Sequence, residues 1–212
     1  MGPLRGTIIP VTPFQQNCTV LWDDTTKQGV VIDPGGEVDR ILAAIEQAGV
    51  RVERIWLTHG HLDHAGGADE LREALKGVPI EGPDQRDEFL LGGLQEQARQ
   101  LGLTMRNVAP DRWLTEGEGV AFGEHRFAVL HCPGHTPGHV VFVNHATRFA
   151  LVGDVLFRGS IGRTDFPYGD HAALIGSITE KLLPLGDECQ FLCGHGPGST
   201  IGVERRSNPF LR

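Results

Sequence analysis

Three short apolar runs in this chain lead through a glycine straight into a histidine or an aspartate. Run 149–152 passes through Gly153 to Asp154, and run 190–193 passes through Gly194 to His195. Run 126–131 is followed by Cys132-Pro133-Gly134-His135. Short apolar runs bounded by turn residues read as strands. A glycine relieves the bend where a strand ends. Repeated on several strands, the pattern gathers polar side chains along one rim of a sheet.

A fourth segment is denser. Thr58-His59-Gly60-His61-Leu62-Asp63-His64 follows an apolar strand at 52–57 and precedes a helix predicted over 65–76. It is a strand-to-helix loop, where side chains are free to converge. His59 and His61 are two apart and point the same way in extended chain. Asp63 and His64 come as the chain turns into the helix. One small ion cannot readily accept all four from so short a segment and still take distant ligands. Two ions a few ångströms apart can share them. Imidazole nitrogen and carboxylate oxygen suit zinc, and also iron or manganese.

The remaining pattern is α/β. Strands are expected at 7–11, 19–22 and 29–32 in antiparallel succession, with a polar turn at 23–26. A helix over 37–48 carries the stripe Val38, Ile41, Leu42, Ile45 and stops at Gly49. Another is expected over 84–101, with Gly92-Gly93 as a point where it can break. Strands at 120–122, 126–131 and 140–144 follow, then 149–152, a helix over 171–183 capped by Asp170, and a last strand at 190–193. Two packed sheets with helices outside would bury all of these faces. At 212 residues, 40% hydrophobic and 22% charged, residues 1–212 are expected to form a single domain.

Bulk properties exclude some partners. Net charge is −8 and the basic residues are scattered, so nucleic acid is not an expected partner. The first residues hold no apolar run long enough for an export signal or a membrane span, so no membrane partner is expected and the cytoplasm is the expected compartment. Cys18, Cys132, Cys189 and Cys193 do not form a disulfide framework pattern, and Cys189 and Cys193 read as buried strand cysteines. His125 and His145 sit at turns and are expected in solvent; His139 is expected to hydrogen-bond within its own loop.

With these residues in hand, the chain resembles the metallo-β-lactamase superfamily. Within it, the chain is similar to the glyoxalase II-like hydrolases of the small bacterial type, without the C-terminal helical domain of the longer enzymes. The resemblance runs from about Asn17 onward. It rests on THGHLDH, CPGHTPGHVVF, GDVLF, GRTDFP, CGHGPGST and NPFLR. It implies a four-layer αβ/βα sandwich with the site at one sheet edge. Carried over by position, it implies His59, His61 and His135 on one metal, Asp63, His64 and His195 on a second, and Asp154 bridging both. Asp33 either forms a turn before Pro34 or stands beside the site. Arg163 falls near where such enzymes place a cation for a thiol-tripeptide substrate. Pro197 stands where the longer enzymes have a substrate-touching tyrosine.

The chemistry expected from two divalent ions is hydrolysis. They can bridge one water and make it hydroxide near neutral pH. Against Asp63, Asp154 and that hydroxide, the ions leave the site about one unit positive, which favours a developing oxyanion. Asp63 would orient the hydroxide and Asp154 would hold the ions together. The expected substrate is a small-molecule S-acyl-glutathione thioester such as S-lactoylglutathione. The alternative is a glutathione persulfide dioxygenase with a single iron.

Overall fold

The computed structural model describes residues 2–212. β1 (Leu4–Val11), β2 (Gln16–Asp23) and β3 (Gln28–Ile32) form an antiparallel meander. Asp23 builds the polar turn after β2, its Oδ1 accepting from the amides of Thr25 and Thr26 at 2.9 Å each. Its Oδ2 pairs with His125 Nε2 at 3.1 Å. His125 is therefore buried, not in solvent as its turn position suggested.

α1 (Val38–Ala48) buries Val38, Ile41 and Ile45, and Gly49 closes it by donating to the Glu46 carbonyl at 3.0 Å. The chain then enters β4 (Arg51–Trp56), parallel to β3. The single helix expected over 65–76 is two helices, α2 (Leu62–Ala65) and α3 (Ala68–Ala74). The break falls at Gly66-Gly67, where the Gly67 amide donates to the Pro34 carbonyl at 2.9 Å and the backbone packs on residues 34–36. β5 (Ile80–Glu81) completes the first sheet, parallel to β4. The stretch expected as helix 84–101 is a 3-10 turn at Gln85–Asp87 capped by Asp84, then α4 (Glu88–Leu91) and α5 (Leu94–Gln100). The two helices part at Gly92-Gly93.

The second sheet begins with β6 (Gly119–Phe122), β7 (His125–His131), β8 (Val140–Asn144) and β9 (Phe149–Leu151). A hairpin of β10 (Leu156–Phe157) and β11 (Ser160–Ile161) projects beside it. α6 (His171–Ser177) starts on the Asp170 side-chain cap and runs on through a π turn at Ile178–Leu182. β12 (Gln190–Leu192) returns parallel to β9, and β13 (Ser199–Thr200) leads into α7 (Ile201–Ser207). Strand order is β13-β12-β9-β8-β7-β6.

Three apolar clusters define four layers. Val30, Ile32 and Trp56 of the first sheet meet Phe122, Phe127 and Phe142 of the second, with Trp56 stacked on Phe142 at 5.0 Å. Val31 and Ile55 point to the opposite face, where Ile41, Leu71 and Leu94 cover them. Val141 and Val143 pack with Leu174, Ile178 and Ile201 on the outer face of the second sheet. The run Val30-Val31-Ile32 is apolar throughout because β3 is buried on both faces. This is the α–β–β–α layering the resemblance implied.

Candidate metal centre

One edge of the sandwich gathers the ends of β4, β7, β9 and β12. Backbone hydrogen bonds tie them together. Val140 N donates to Thr58 O at 2.8 Å, Gly194 N to Gly153 O at 2.8 Å, and Asn17 N to Gly194 O at 2.7 Å. The glycines do two different jobs. Gly153 has φ 49, a left-handed turn that lets β9 bend into Asp154. Gly194 is needed for close approach, since a Cβ there would lie 2.0 Å from Asp154 Oδ1.

The His59-Gly60-His61 loop is held from below by Asp33, which sits at the end of β3 with φ 50. Thr58 N donates to Asp33 Oδ1 at 2.7 Å and Thr58 Oγ1 to Asp33 Oδ2 at 2.6 Å. Asp33 Oδ2 also lies 2.9 Å from His64 Nδ1. Of the two roles open to Asp33, the structure places it beside the site.

Each of the five histidines has its outer nitrogen engaged. The Thr58 hydroxyl, having given its proton to Asp33, accepts from His59 Nδ1 at 3.0 Å. His64 Nδ1 donates to Asp33. His135 Nδ1 donates to the Arg163 carbonyl at 2.8 Å and His195 Nδ1 to the Phe14 carbonyl at 3.2 Å. His61 Nε2 meets the Tyr168 hydroxyl at 2.8 Å. The acceptors beside His59, His64, His135 and His195 place a proton on each outer nitrogen, so their Nε2 atoms, with Nδ1 of His61, are the ones that face inward.

The inward atoms form two groups. His61 Nδ1 lies 3.1 Å from His59 Nε2 and 2.9 Å from His135 Nε2. His195 Nε2 lies 3.2 Å from Asp63 Oδ2, and His64 Nε2 lies 3.9 Å from the same oxygen. Asp154 stands between the groups, with Oδ1 3.3 Å from His64 Nε2 and Oδ2 3.6 Å from His135 and 3.5 Å from His195. Ring nitrogens and carboxylate oxygens converging this closely make up the donor set of a cation site. His64 Nε2 and Asp154 Oδ1 are also buried without a hydrogen-bond partner. Both observations fit divalent ions, and each group of three has ligand atoms close enough to hold one. Asp33, His59 and His64 are also close enough, but Asp33 contacts the protonated edge of His64 and serves as its orienting partner.

The electrostatics differ between the groups. Burial pushes His59 well below the usual imidazole range; burial and the neighbouring His135 take His61 down to about 3. Burial also lowers His135. Burial acts the same way on His64, but the carboxylates of Asp154 and Asp63 outweigh it and raise it well above that range. His195 is raised to about 9, its hydrogen bonds to Asp154 and Asp63 overcoming burial. In turn His64 and His195 hold Asp154 well down against its own burial.

Asp87 was not legible as a site residue. It is fully buried and joins the two histidine loops. Its Oδ2 accepts from Gly60 N at 2.9 Å and Thr136 Oγ1 at 2.7 Å, and its Oδ1 accepts from Gly138 N at 2.6 Å. His139 is also buried, and its Nε2 accepts from the Asp154 amide at 3.0 Å. Its partner is thus outside its own loop, contrary to expectation. In the sequence Asp87 was only an acidic residue near the start of the helix expected over 84–101.

Arg163 is exposed on the rim. It makes a two-pronged ion pair with Asp165 at 2.7 and 2.8 Å and lies 4.4 Å over the Phe166 ring. Cavities of about 450 and 520 Å³ open on either side of the centre, and both are lined by His135, Asp154, Arg163 and His195.

Residues 11–195 match the model of the metallo-β-lactamase superfamily. The chain belongs to that superfamily. Hydroxyacylglutathione hydrolase GloC of Haemophilus influenzae is 51% identical over 206 residues, covering 96% of each chain. Among solved structures, the BLEG-1 B3 metallo-β-lactamase is 36% identical with a TM-score of 0.89, covering 98% of this chain and 99% of its own. TTHA1623, in a di-iron-bound form, is 41% identical with a TM-score of 0.86, covering 97% of this chain and all of its own. The superfamily binds divalent metals, and the histidine and aspartate groups described above are this member's candidates for holding them. Among the described residues, no helix is long and apolar enough to cross a membrane.

Proposed function

We propose that the chain is a two-metal hydrolase of S-acyl-glutathione-type thioesters, with S-lactoylglutathione as a representative substrate. The observation that carries this reading is the 51% identity, along nearly the whole length of both chains, to hydroxyacylglutathione hydrolase GloC. His59, His61 and His135 would hold one ion, Asp63, His64 and His195 the other, with Asp154 shared. Zinc suits this donor set best, and iron and manganese are the alternatives.

Bound divalent ions supply an activated water and a counter-charge for the carbonyl oxygen. The residues of the chain do the rest. Asp63 lines the cavity and is placed to accept a hydrogen bond from the attacking water and orient it. Asp154 fixes the spacing of the two groups. Arg163 binds a substrate carboxylate. Water adds its oxygen to the acyl carbon, the carbon–sulfur bond breaks, and the thiol leaves with a proton.

A persulfide dioxygenase with one iron needs a single group of three ligands. The second complete group, Asp63, His64 and His195, supports the hydrolase reading over it. Elemental analysis paired with thioester-cleavage and oxygen-uptake assays tests the choice. Two ions per chain with thioester cleavage is the expected result. One iron with oxygen uptake, and no second ion even in excess zinc, would refute it.

A further inference from the structure

Six large apolar side chains are substantially exposed among the described residues, and three of them stand around the same mouth. Phe14, from the turn after β1, is 50% exposed; Phe89, in α4, is 53% exposed; Leu101, just after α5, is 57% exposed. Phe14 and Leu101 line the 450 Å³ cavity over the metal centre, with Phe166 and Tyr168. Phe89 packs edge-on against Tyr168 at 5.3 Å, and Tyr168 stacks on Phe166 at the same distance. The floor of this cavity is His61, Asp63, His135, Asp154 and His195. Arg163 is the one Lys or Arg side chain lining it. Concentrated apolar exposure beside a polar site marks recognition of an apolar group.

The cavity on the other side differs in charge, because Arg158 lines it as well as Arg163. Phe157, Ser160, Ile161 and Pro197 complete its wall. A thioester whose carbonyl lies over the metal centre directs its two substituents apart. Two guanidinium groups suit the carboxylate-bearing thiol half. The aromatic side is left for the acyl half. An acetyl or lactoyl group would leave most of 450 Å³ to water.

We propose that the cavity rimmed by Phe14, Phe89, Leu101, Phe166 and Tyr168 is an acyl-chain subsite, selecting thioesters with apolar acyl groups larger than lactoyl. The Phe14 placement is built in, because its carbonyl accepts from His195 Nδ1. The backbone that carries this ring is therefore tied to the metal centre. The inference rests on the thioester reading above.

Two measurements separate the inference from that reading. The first is calorimetric binding of S-methylglutathione and S-hexylglutathione, which carry no cleavable thioester, to the zinc-loaded protein. A fully buried methylene is worth about fourfold in affinity, and a half-open cavity yields about half that free energy, or twofold per methylene. Five added methylenes then predict about thirtyfold tighter binding of the hexyl compound. The second is kcat/KM for S-acetyl-, S-lactoyl- and S-hexanoylglutathione, with the hexanoyl compound expected at least about tenfold ahead. Leu101→Ser and Phe89→Ser, both at exposed positions, should reduce the hexyl-to-methyl and hexanoyl-to-acetyl ratios by about threefold or more. Equal binding of the two thioethers, a lactoyl preference, or ratios unmoved in both variants would overturn the subsite. Cleavage of the short thioesters with no chain-length gain would overturn the subsite and leave the hydrolase standing. A strong hexyl preference in binding without cleavage of any thioester would do the reverse.

Discussion

Removing Asp87 should weaken the fold and selectively loosen one metal group. Its carboxylate accepts from two buried amides, Gly60 and Gly138, and from the Thr136 hydroxyl. Asp87→Ala leaves both amides unpaired, at about 1–3 kcal/mol each, while the hydroxyl can turn elsewhere. Part of that loss is offset, because burial of a carboxylate is itself costly and pushes this one up to about 6. A net loss of about 3 kcal/mol in urea unfolding is expected. Asp87→Asn keeps one acceptor oxygen but turns an amide NH₂ toward a donor, so about half that loss is expected. The raised carboxyl also sets the sign of the pH effect. The folded state holds this proton more tightly than the unfolded chain, so the wild type gains stability relative to Asp87→Asn as pH falls from 7 toward 5. Gly60 lies between His59 and His61, and Thr136 follows His135. Zinc affinity at that group should therefore fall about 10- to 100-fold while Asp63, His64 and His195 keep theirs. A loss under about 1 kcal/mol with both zinc affinities unchanged would show that Asp87 does not clamp the loops.

Three further outcomes are expected. Asp154→Ala should lose at least one ion by elemental analysis and lower kcat at least about a hundredfold; near-wild-type turnover with two ions retained would exclude it as the shared ligand. Because His64 and His195 are raised in the metal-free protein while His59, His61 and His135 are lowered, zinc entering the Asp63 group must displace protons and its affinity should rise with pH up to about 9. Beyond the one proton lost by the shared water, proton release into a weak buffer at pH 7 should accompany that ion alone, and equal release from the ligands of both ions would contradict the charge distribution. Arg163→Ala should keep full metal content and raise KM for S-lactoylglutathione more than it lowers kcat, with a kcat/KM change of roughly tenfold or more. Equal losses on thioesters with and without carboxylates would move Arg163 out of the substrate site.

Local pattern determined much of this protein. The apolar runs at β2, β3, β4, β8 and β9 bury their side chains as strands wherever they pack, and the 3.6-residue stripe of α1 has one face to hide. The THGHLDH loop and the residues after Gly134, Gly153 and Gly194 carried the site's ligand chemistry, because a strand end with a following glycine already fixes where the next side chain points. What pattern could not supply was partnership between distant segments. The 65–76 helix breaks because Gly66-Gly67 packs on the backbone of residues 34–36, a contact invisible along the chain. His125 is buried because Asp23, far off in sequence, turns an oxygen toward it. Asp87 read as one more polar residue of the helix expected over 84–101, and only the fold closes two loops from opposite sheets over it. Tautomers, too, were decided only in three dimensions, since the atoms that fix them are a carbonyl of Phe14, a carbonyl of Arg163 and a carboxylate of Asp33. Periodicity reports which face a residue is on; hydrogen bonds across the interior depend on which segments the fold brings together.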